Sequence, residues 1–282
     1  MYEAEINRAT PTCVVFLIDQ STSMRGTIGG GDQAKREVVA ESLNRLLFEL
    51  VSRCARQRGE IYDFFHIGVL SYGRTVGPAF GGALTGAQLV TASELAHHPI
   101  RVESRRVRRS DNTGGYYEYD DEIPVWVDAV SDGMTPMTAA LKQTHDLLKA
   151  WVDENPRSFP PIVLNMTDGD ATDGDPSAAG QRIRSLTTHD GPALLFNLHI
   201  SSKKLTPVQF PAAADGLTKN GRRLFEMSSP LPDRMRAYAA AELGLGVRQG
   251  SRGFVYNADI DAIVQFLDVG TRQTYHQNGG AR

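Results

Sequence analysis

The sequence has little cysteine, no excess of basic charge and no long apolar run. Cys13 and Cys54 are its only cysteines, and both lie in apolar patterns, so we expect buried free thiols, with a disulfide as the weaker alternative. A formal net charge of -3 argues against a dedicated nucleic-acid binder. Without a membrane-length apolar run or a visible secretory signal, we expect a cytoplasmic protein with no membrane contact.

The most informative stretch is residues 13–23, where six apolar residues end at Asp19 and are followed by Ser21 and Ser23. A short apolar run rich in β-branched and aromatic residues predicts a buried central strand of a parallel sheet. Ligands of such sheets bind beyond the carboxyl ends of the strands. Oxygen donors at three alternate positions there favour a hard cation. The alternative is that Asp19 and Ser21 cap a following helix.

Two later motifs carry similar oxygen ligands. Thr135 lies in a G-M-T-P loop before a helical pattern, and Asp168 lies in a T-D-G turn after another predicted strand. A threonine followed by proline is also a good helix start, so capping is the alternative role of Thr135. The acids of residues 168–175 could alone form a calcium loop, but their spacing departs from the EF-hand pattern.

Together, the three motifs resemble the metal-ion-dependent adhesion site of the von Willebrand factor A (VWA) family, in the family order. The resemblance covers about residues 12–270, with Met134 standing where many relatives have glycine. The D-G-D-A-T-D run from Asp168 is similar to bacterial VWA proteins associated with tellurite resistance. The resemblance implies direct metal ligation by Ser21 and Ser23. It implies a full site of Asp19, Ser21, Ser23, Thr135 and Asp168, in which Thr135 binds the ion directly or through water and Asp19 and Asp168 often act through water.

The function that this resemblance implies is a non-enzymatic protein-binding module. A partner protein's Asp or Glu would complete the coordination of Mg²⁺, with Mn²⁺ or Ca²⁺ as other candidate ions. Bacterial VWA proteins of similar layout work beside kinases, phosphatases or AAA-type ATPases, so we expect a signalling or stress-response complex. The alternative is a Mg²⁺-dependent phosphohydrolase with Asp19 as nucleophile, although Ser21 stands where the haloacid-dehalogenase family has a second acid. The third hypothesis is a purely structural domain whose site holds no ion.

Alternation of strands and helical patterns predicts an α/β fold: a doubly wound, mostly parallel sheet with helices on both faces. We predict a single domain over residues 12–270, with tails at 1–11 and 271–282. Residues 81–132 interrupt the alternation as an insertion. Within it, a basic arm (101–109), turn residues (112–115) and an acidic, aromatic arm (116–122) predict a β-hairpin. The alternative is that its arginines bind phosphate or an acidic partner.

Other segments give more local expectations. The first long helix is predicted over residues 35–57, and residues 224–227 read as a short strand or the lead into a helix over 231–243. His66 and His199 lie in predicted buried strands, where we expect hydrogen-bonded core histidines.

Overall fold

Strands and helices alternate along the chain in the computed structural model, which describes residues 1–56, 59–110 and 116–271. The strands are β1 (Thr12–Asp19), β2 (Phe65–Tyr72), β3 (Val76–Pro78), β4 (Val90–Thr91), β5 (Arg101–Ser110), β6 (Tyr116–Val125), β7 (Ile162–Thr167), β8 (Thr187–Thr188), β9 (Gly191–Pro192), β10 (Leu194–Ile200), β11 (Val208–Gln209) and β12 (Phe254–Ala258). The helices are α1 (Lys35–Cys54), α2 (Ala92–His97), α3 (Met137–Glu154), α4 (Ser177–Arg184), α5 (Lys219–Met227), α6 (Asp233–Ala241) and α7 (Ile260–Thr271).

The main sheet has the order β11-β12-β10-β7-β1-β2-β3, with β4 also paired to β2. The five strands from β12 to β2 are parallel, and the short strands β3, β4 and β11 are antiparallel additions at the edges. This confirms the doubly wound, mostly parallel sheet. The chain leaves β1 toward β2 and later returns to β7 on the other side of β1. The strand order therefore reverses beside β1, where ligands of such folds bind.

Helices cover both faces of this sheet. Alternate residues of β1 point to opposite faces: Val14, Phe16 and Ile18 belong to one apolar cluster, and Cys13, Val15 and Leu17 to the other. The first cluster includes residues of α1 and α7, and the second includes residues of α3 and α4. Both cysteines are buried thiols that form no disulfide, as predicted.

Several predicted boundaries change. The first helix ends at Cys54, before the predicted residue 57, which lies outside the described part of the chain together with residues 112–115 and 272–282. The strand alternative for residues 224–227 is wrong, because they form the end of α5. The Thr218 side chain caps this helix, and Leu224 and Phe225 are buried on its inner face. The first residues of the chain contact the turn between β8 and β9, because the backbone N–H groups of residues 3 and 4 donate to the Asp190 carboxylate.

The insertion contains the predicted hairpin, formed by β5 and β6. Arg106 stands opposite Asp120, and their side chains form an exposed ion pair at 3.6 Å. This pairing agrees with a solvated hairpin whose two arms carry opposite charges. The sequence prediction missed β4 and α2, although Thr91 and Glu94 form a capping box at the start of α2 that their spacing could have indicated.

The chain that returns from the hairpin is fixed to α1 by the buried amide of Asn44. Its Oδ1 accepts the backbone N–H groups of Trp126 (2.9 Å) and Val127 (3.2 Å), and its Nδ2 donates to the carbonyls of Ala40 and Val127, both at 2.9 Å. This anchor holds the segment that leads to the Thr135 loop. Among the described residues, no helix is both long and apolar enough to cross a membrane.

Replacing Asn44 by leucine is expected to lower the free energy of unfolding by about 2–4 kcal/mol, because two buried backbone N–H groups lose their acceptor. Asn44→Asp keeps that acceptor but sets its second oxygen against the carbonyls of Ala40 and Val127, so it should also be destabilising. Ser52→Ala, on the exposed face of the same helix, is the control and should change stability by under about 0.5 kcal/mol. Urea unfolding measures all three, and equal stability of Asn44→Leu and wild type would refute the anchor.

Candidate metal centre

Asp19 lies at the carboxyl end of β1 and is only 2 % exposed. Its Oδ1 accepts the backbone N–H of Ser21 at 2.8 Å, and its Oδ2 accepts the hydroxyl of Thr167 at 2.8 Å. Thr167 is the last residue of β7, so a neighbouring parallel strand orients the carboxylate. Asp19 does not cap α1, which begins only at Lys35; it stabilises the turn that places Ser21.

Three oxygens form a hydrogen-bonded line at the same edge of the sheet. The hydroxyls of Ser21 and Ser23 are 2.9 Å apart, and the Ser23 hydroxyl donates to Asp168 Oδ1 at 2.7 Å. Ser21 is buried, whereas Ser23 is exposed. The line is thus open to solvent at Ser23, on the loop that follows β1.

The Thr135 loop lies between the loops that follow β1 and β7. Thr22 donates through its backbone N–H (3.0 Å) and its hydroxyl (3.1 Å) to the carbonyl of Gly133. On the other side, Thr135 and Thr172 exchange two hydrogen bonds: the Thr135 N–H donates to Thr172 Oγ1 at 3.0 Å, and the Thr172 N–H donates to the Thr135 carbonyl at 2.9 Å. The structure therefore brings Thr135 to the same edge as the other predicted ligands.

The capping alternative for Thr135 finds no support, because another residue performs that role. Asp173 accepts the backbone N–H of Thr138 at 3.0 Å and that of Ala139 at 2.8 Å, in the first turn of α3. The N-cap position is Pro136. Sequence reasoning missed Asp173, since a cap that comes from a distant loop leaves no local pattern. Asp175 accepts the Ser177 N–H at 2.9 Å at the start of α4.

The centre concentrates negative charge. Burial raises the pKa of Asp19 to about 6, against hydrogen bonds from Ser21 and Thr167 that lower it, and the nearby Asp168 carboxylate raises it further. A carboxylate whose pKa is raised by burial and by a like charge gains from a nearby cation. The edge formed by Asp19 and Asp168 is therefore suited to positive charge.

Lys35 supplies one such positive charge. It is the first residue of α1, and its ammonium donates to Asp168 Oδ2 at 2.7 Å, with side-chain exposures of 6 % for Lys35 and 0 % for Asp168. Sequence reasoning missed this residue. The available signal was a lysine in the first turn of a helix, where the helix dipole disfavours a cation unless an acid lies close by.

The donor set fits a hard divalent ion. Among the described residues, no group of three or more His, Cys, Asp or Glu side chains could hold a metal. The oxygens that lie beside Asp19 and Asp168 at this edge include the hydroxyls of Ser21 and Ser23, which are ligands of the kind that hard cations accept. In an octahedral Mg²⁺ site with metal–oxygen distances near 2.05 Å, neighbouring oxygens are about 2.9 Å apart. The distances of 2.9 Å and 2.7 Å along the Ser21–Ser23–Asp168 line are ordinary O–H···O hydrogen-bond lengths that also equal this edge, so an ion could replace these hydrogen bonds with little movement of the oxygens.

The two predicted core histidines form none of the hydrogen bonds described for the centre, although His199 stands opposite Thr167 in the sheet. His66 Nδ1 accepts the indole N–H of Trp151 at 2.7 Å. His199 stacks on Tyr256 with ring centroids 4.6 Å apart, and burial lowers the pKa of its imidazole to about 4. Both observations confirm the core role that the sequence indicated.

No protein-family model matches the sequence, and no curated protein matches it. The chain resembles a number of solved structures weakly, among them the following three. The manganese-loaded TRAP protein of Plasmodium vivax has a TM-score of 0.40 and 14 % identity over 92 % of this chain and 72 % of that chain. The human COPII-coat protein Sec24c has a TM-score of 0.32 and 12 % identity over 67 % of this chain and 26 % of that chain.

The third structure is the pilus adhesin RrgA from Streptococcus pneumoniae, with a TM-score of 0.29 and 13 % identity over 58 % of this chain and 21 % of that chain. Likeness at this level carries no argument about function. The α/β fold is established by the strand order itself, and the VWA adhesion site remains a prediction from the three motifs.

The two motif glycines should differ in their tolerance of alanine. Gly133 has a φ of +86°, and an added Cβ would stand 2.5 Å from the backbone nitrogen of Arg74, whereas nothing lies within 4 Å of a Cβ at Gly169. Gly133→Ala should therefore lower the free energy of unfolding by more than about 1 kcal/mol, and Gly169→Ala by under about 0.5 kcal/mol. Urea unfolding tests the pair, and equal losses would contradict the strained turn.

The stability difference between wild type and Asp19→Asn should depend on pH. The folded-state pKa of Asp19, about 6, lies above the reference value of 3.8, so the folded chain holds the proton more tightly and the wild type loses stability as pH rises through 6. Asparagine removes this loss. In chelator, the variant should gain up to about 3 kcal/mol relative to wild type between pH 4 and pH 7.5. Urea unfolding across that range is the measurement, and a constant difference would be the contrary result.

Proposed function

We propose that this chain is a metal-dependent protein-binding module. A divalent cation, Mg²⁺ or Mn²⁺, would be held by Asp19, Ser21, Ser23, Thr135 and Asp168. The observation that carries the proposal is the convergence of the Ser21, Ser23 and Asp168 oxygens, which come from two different loops, at the place where the strand order reverses. When bound, the ion would supply a Lewis-acidic position that an external carboxylate can occupy.

The residues of the proposed site have different roles because some are buried and others are exposed. Asp19 accepts hydrogen bonds from Ser21 and Thr167, so it orients the loop that follows β1. Its carboxylate would supply negative charge from the buried side of the site. Ser23 is exposed and marks the side from which a partner can approach. Because hydroxyl ligands are neutral, they offset little of a divalent charge, and this leaves the site attractive to an incoming anion.

The partner we propose is a protein that presents an Asp or Glu. Met134 and Val130 are 66 % and 48 % exposed on the segment that leads into Thr135, so apolar side chains are available for contact beside the site. From the sequence resemblance alone, we place this partner in a cytoplasmic bacterial signalling or stress-response complex. A kinase, a phosphatase or an AAA-type ATPase is then the kind of protein to expect.

The hydrolase alternative is the weaker one. A nucleophilic carboxylate must reach the substrate, yet both oxygens of Asp19 accept hydrogen bonds and the residue is 2 % exposed. Ser21, two residues on, supplies a hydroxyl where a second acid would be needed. These observations support a binding role without turnover.

Removing both serine hydroxyls should abolish ion binding. We expect wild type to bind Mn²⁺ at one site and Ser21→Ala/Ser23→Ala to lose at least about 100-fold in affinity, because two direct ligands are gone. The control is Ser52→Ala/Ser185→Ala, which removes two exposed hydroxyls from other helix ends. Calorimetric titration measures all three, and unchanged affinity in the Ser21/Ser23 variant would refute the site.

Partner binding and turnover should separate the two functions. Proteins captured from native extract in Mg²⁺ should be released by chelator and should not bind Ser21→Ala/Ser23→Ala. Wild type and Asp19→Asn should both show no metal-dependent phosphate release from phosphoesters. Turnover by wild type that Asp19→Asn lacks, together with capture that survives in the double variant, would establish the hydrolase instead.

A further inference from the structure

The ammonium of Lys35 already occupies one side of the candidate centre. Asp168 uses both carboxylate oxygens: Oδ1 accepts the Ser23 hydroxyl at 2.7 Å, and Oδ2 accepts Lys35 Nζ at 2.7 Å. Neither side chain of the ion pair is more than 6 % exposed. A cation of the protein itself thus neutralises an acid that the proposed function assigns to the metal.

This placement of Lys35 is costly without a special role. Burial of an ammonium carries a desolvation penalty that a single pair repays only with good geometry. The positive end of the α1 dipole adds repulsion, since Lys35 is the first residue of that helix. A neutral side chain would avoid both costs but would leave the buried Asp168 carboxylate without a counter-charge, so the lysine's charge, rather than its packing, accounts for its position.

The surroundings hold the ammonium at the centre. The backbone N–H of Lys35 donates to the carbonyl of Gly26 at 2.9 Å, and a Cβ at Gly26 would lie 3.8 Å from Lys35 Nζ and 3.3 Å from Ser202 Oγ. Gly26 follows the short 3-10 helix Thr22–Arg25, which carries Ser23. The ammonium is therefore enclosed by the same loop that supplies the hydroxyl ligands.

We propose that Lys35 is a built-in competitor of the divalent ion. This inference rests on the proposed function. In the metal-free protein, Lys35 compensates Asp168 and keeps the centre folded. When an ion is present, the two positive charges repel each other at close range, so loading requires the Lys35–Asp168 pair to loosen. With Asp19 and Asp168 against Lys35, the centre carries a formal charge of -1 instead of -2, which weakens ion binding and makes occupancy depend on ion concentration.

The test compares Lys35→Met with wild type and with Lys149→Met, which removes an exposed lysine that pairs with Asp153 at 2.7 Å on α3. Mn²⁺ affinity is measured by calorimetry and melting temperature with and without chelator. Lys35→Met should bind Mn²⁺ at least about tenfold more tightly than wild type. In chelator its melting temperature should be lower, because Asp168 is left buried and unpaired, and Mn²⁺ should raise it more than it raises that of wild type. Lys149→Met should behave as wild type.

The outcomes distinguish this inference from the proposed function. Wild type that binds Mn²⁺ and Lys35→Met that binds no more tightly would overturn the competitor role alone. Binding by neither protein would overturn the proposed function and the competitor role with it. Binding by Lys35→Met but not by wild type would support the competitor role and exclude ion-dependent function for the natural chain.

If Lys35→Met does not fold in chelator, Lys35→Gln takes its place, because the glutamine amide keeps a hydrogen-bond donor toward Asp168 without the charge. The same two readouts apply. Tighter Mn²⁺ binding by Lys35→Gln supports the competitor role, and wild-type affinity overturns it.

Discussion

The position of β1 constrains the rest of the structure. All eight of its residues are buried, and parallel strands are hydrogen-bonded to it on both sides. Polar side chains can then be reached by solvent only where the strand ends. Because β2 and β7 run in the same direction, their last residues reach the same edge as Asp19. The ligands of the candidate centre meet there for this reason, although they are far apart in sequence.

A buried polar network lies in the sheet beside this edge. The Tyr72 hydroxyl donates to Asn165 Oδ1 at 2.8 Å, Asn165 Nδ2 donates to Asn197 Oδ1 at 2.9 Å, and Asn197 Nδ2 donates to Ser228 Oγ at 3.0 Å. These residues link β2 to β7 across β1, and β7 to its direct neighbour β10. Asparagine is unfavourable in a strand interior, and a satisfied network of this kind accounts for its presence and favours a single strand register.

The three loops of the centre hold one another in place. Thr22 bonds to Gly133, Thr135 bonds to Thr172, and Ser23 bonds to Asp168. The oxygen ligands are thus positioned largely before any ion arrives, which reduces the ordering that binding requires. Lys35 is the exception, since its charge would oppose the ion that we propose for this centre. Preorganised ligands and an internal cation together would give a centre that binds reversibly.

The sequence by itself determined the fold class and the edge at which the candidate ligands lie. Alternating patterns indicated the parallel sheet, and the apolar run of β1 that ends at Asp19 indicated where its polar end lies. The motif spacings indicated Ser21, Ser23, Thr135 and Asp168 as candidate metal ligands, because each stands next to a strand or helix boundary. These features are local, so they can be read without knowing how the chain folds back.

Only the tertiary structure decided which groups compensate the buried carboxylates of Asp19 and Asp168. The Lys35–Asp168 pair joins residues 133 positions apart, and the Thr167–Asp19 bond joins residues 148 positions apart. The tertiary structure also showed that Asp173 caps α3. It placed residues 224–227, which the sequence predicted as a short strand or the lead into a helix, at the end of α5. Such contacts depend on which strands become neighbours, and side-chain partners across a sheet leave no periodic signal in the sequence. The charge balance of the centre is therefore a property of the fold.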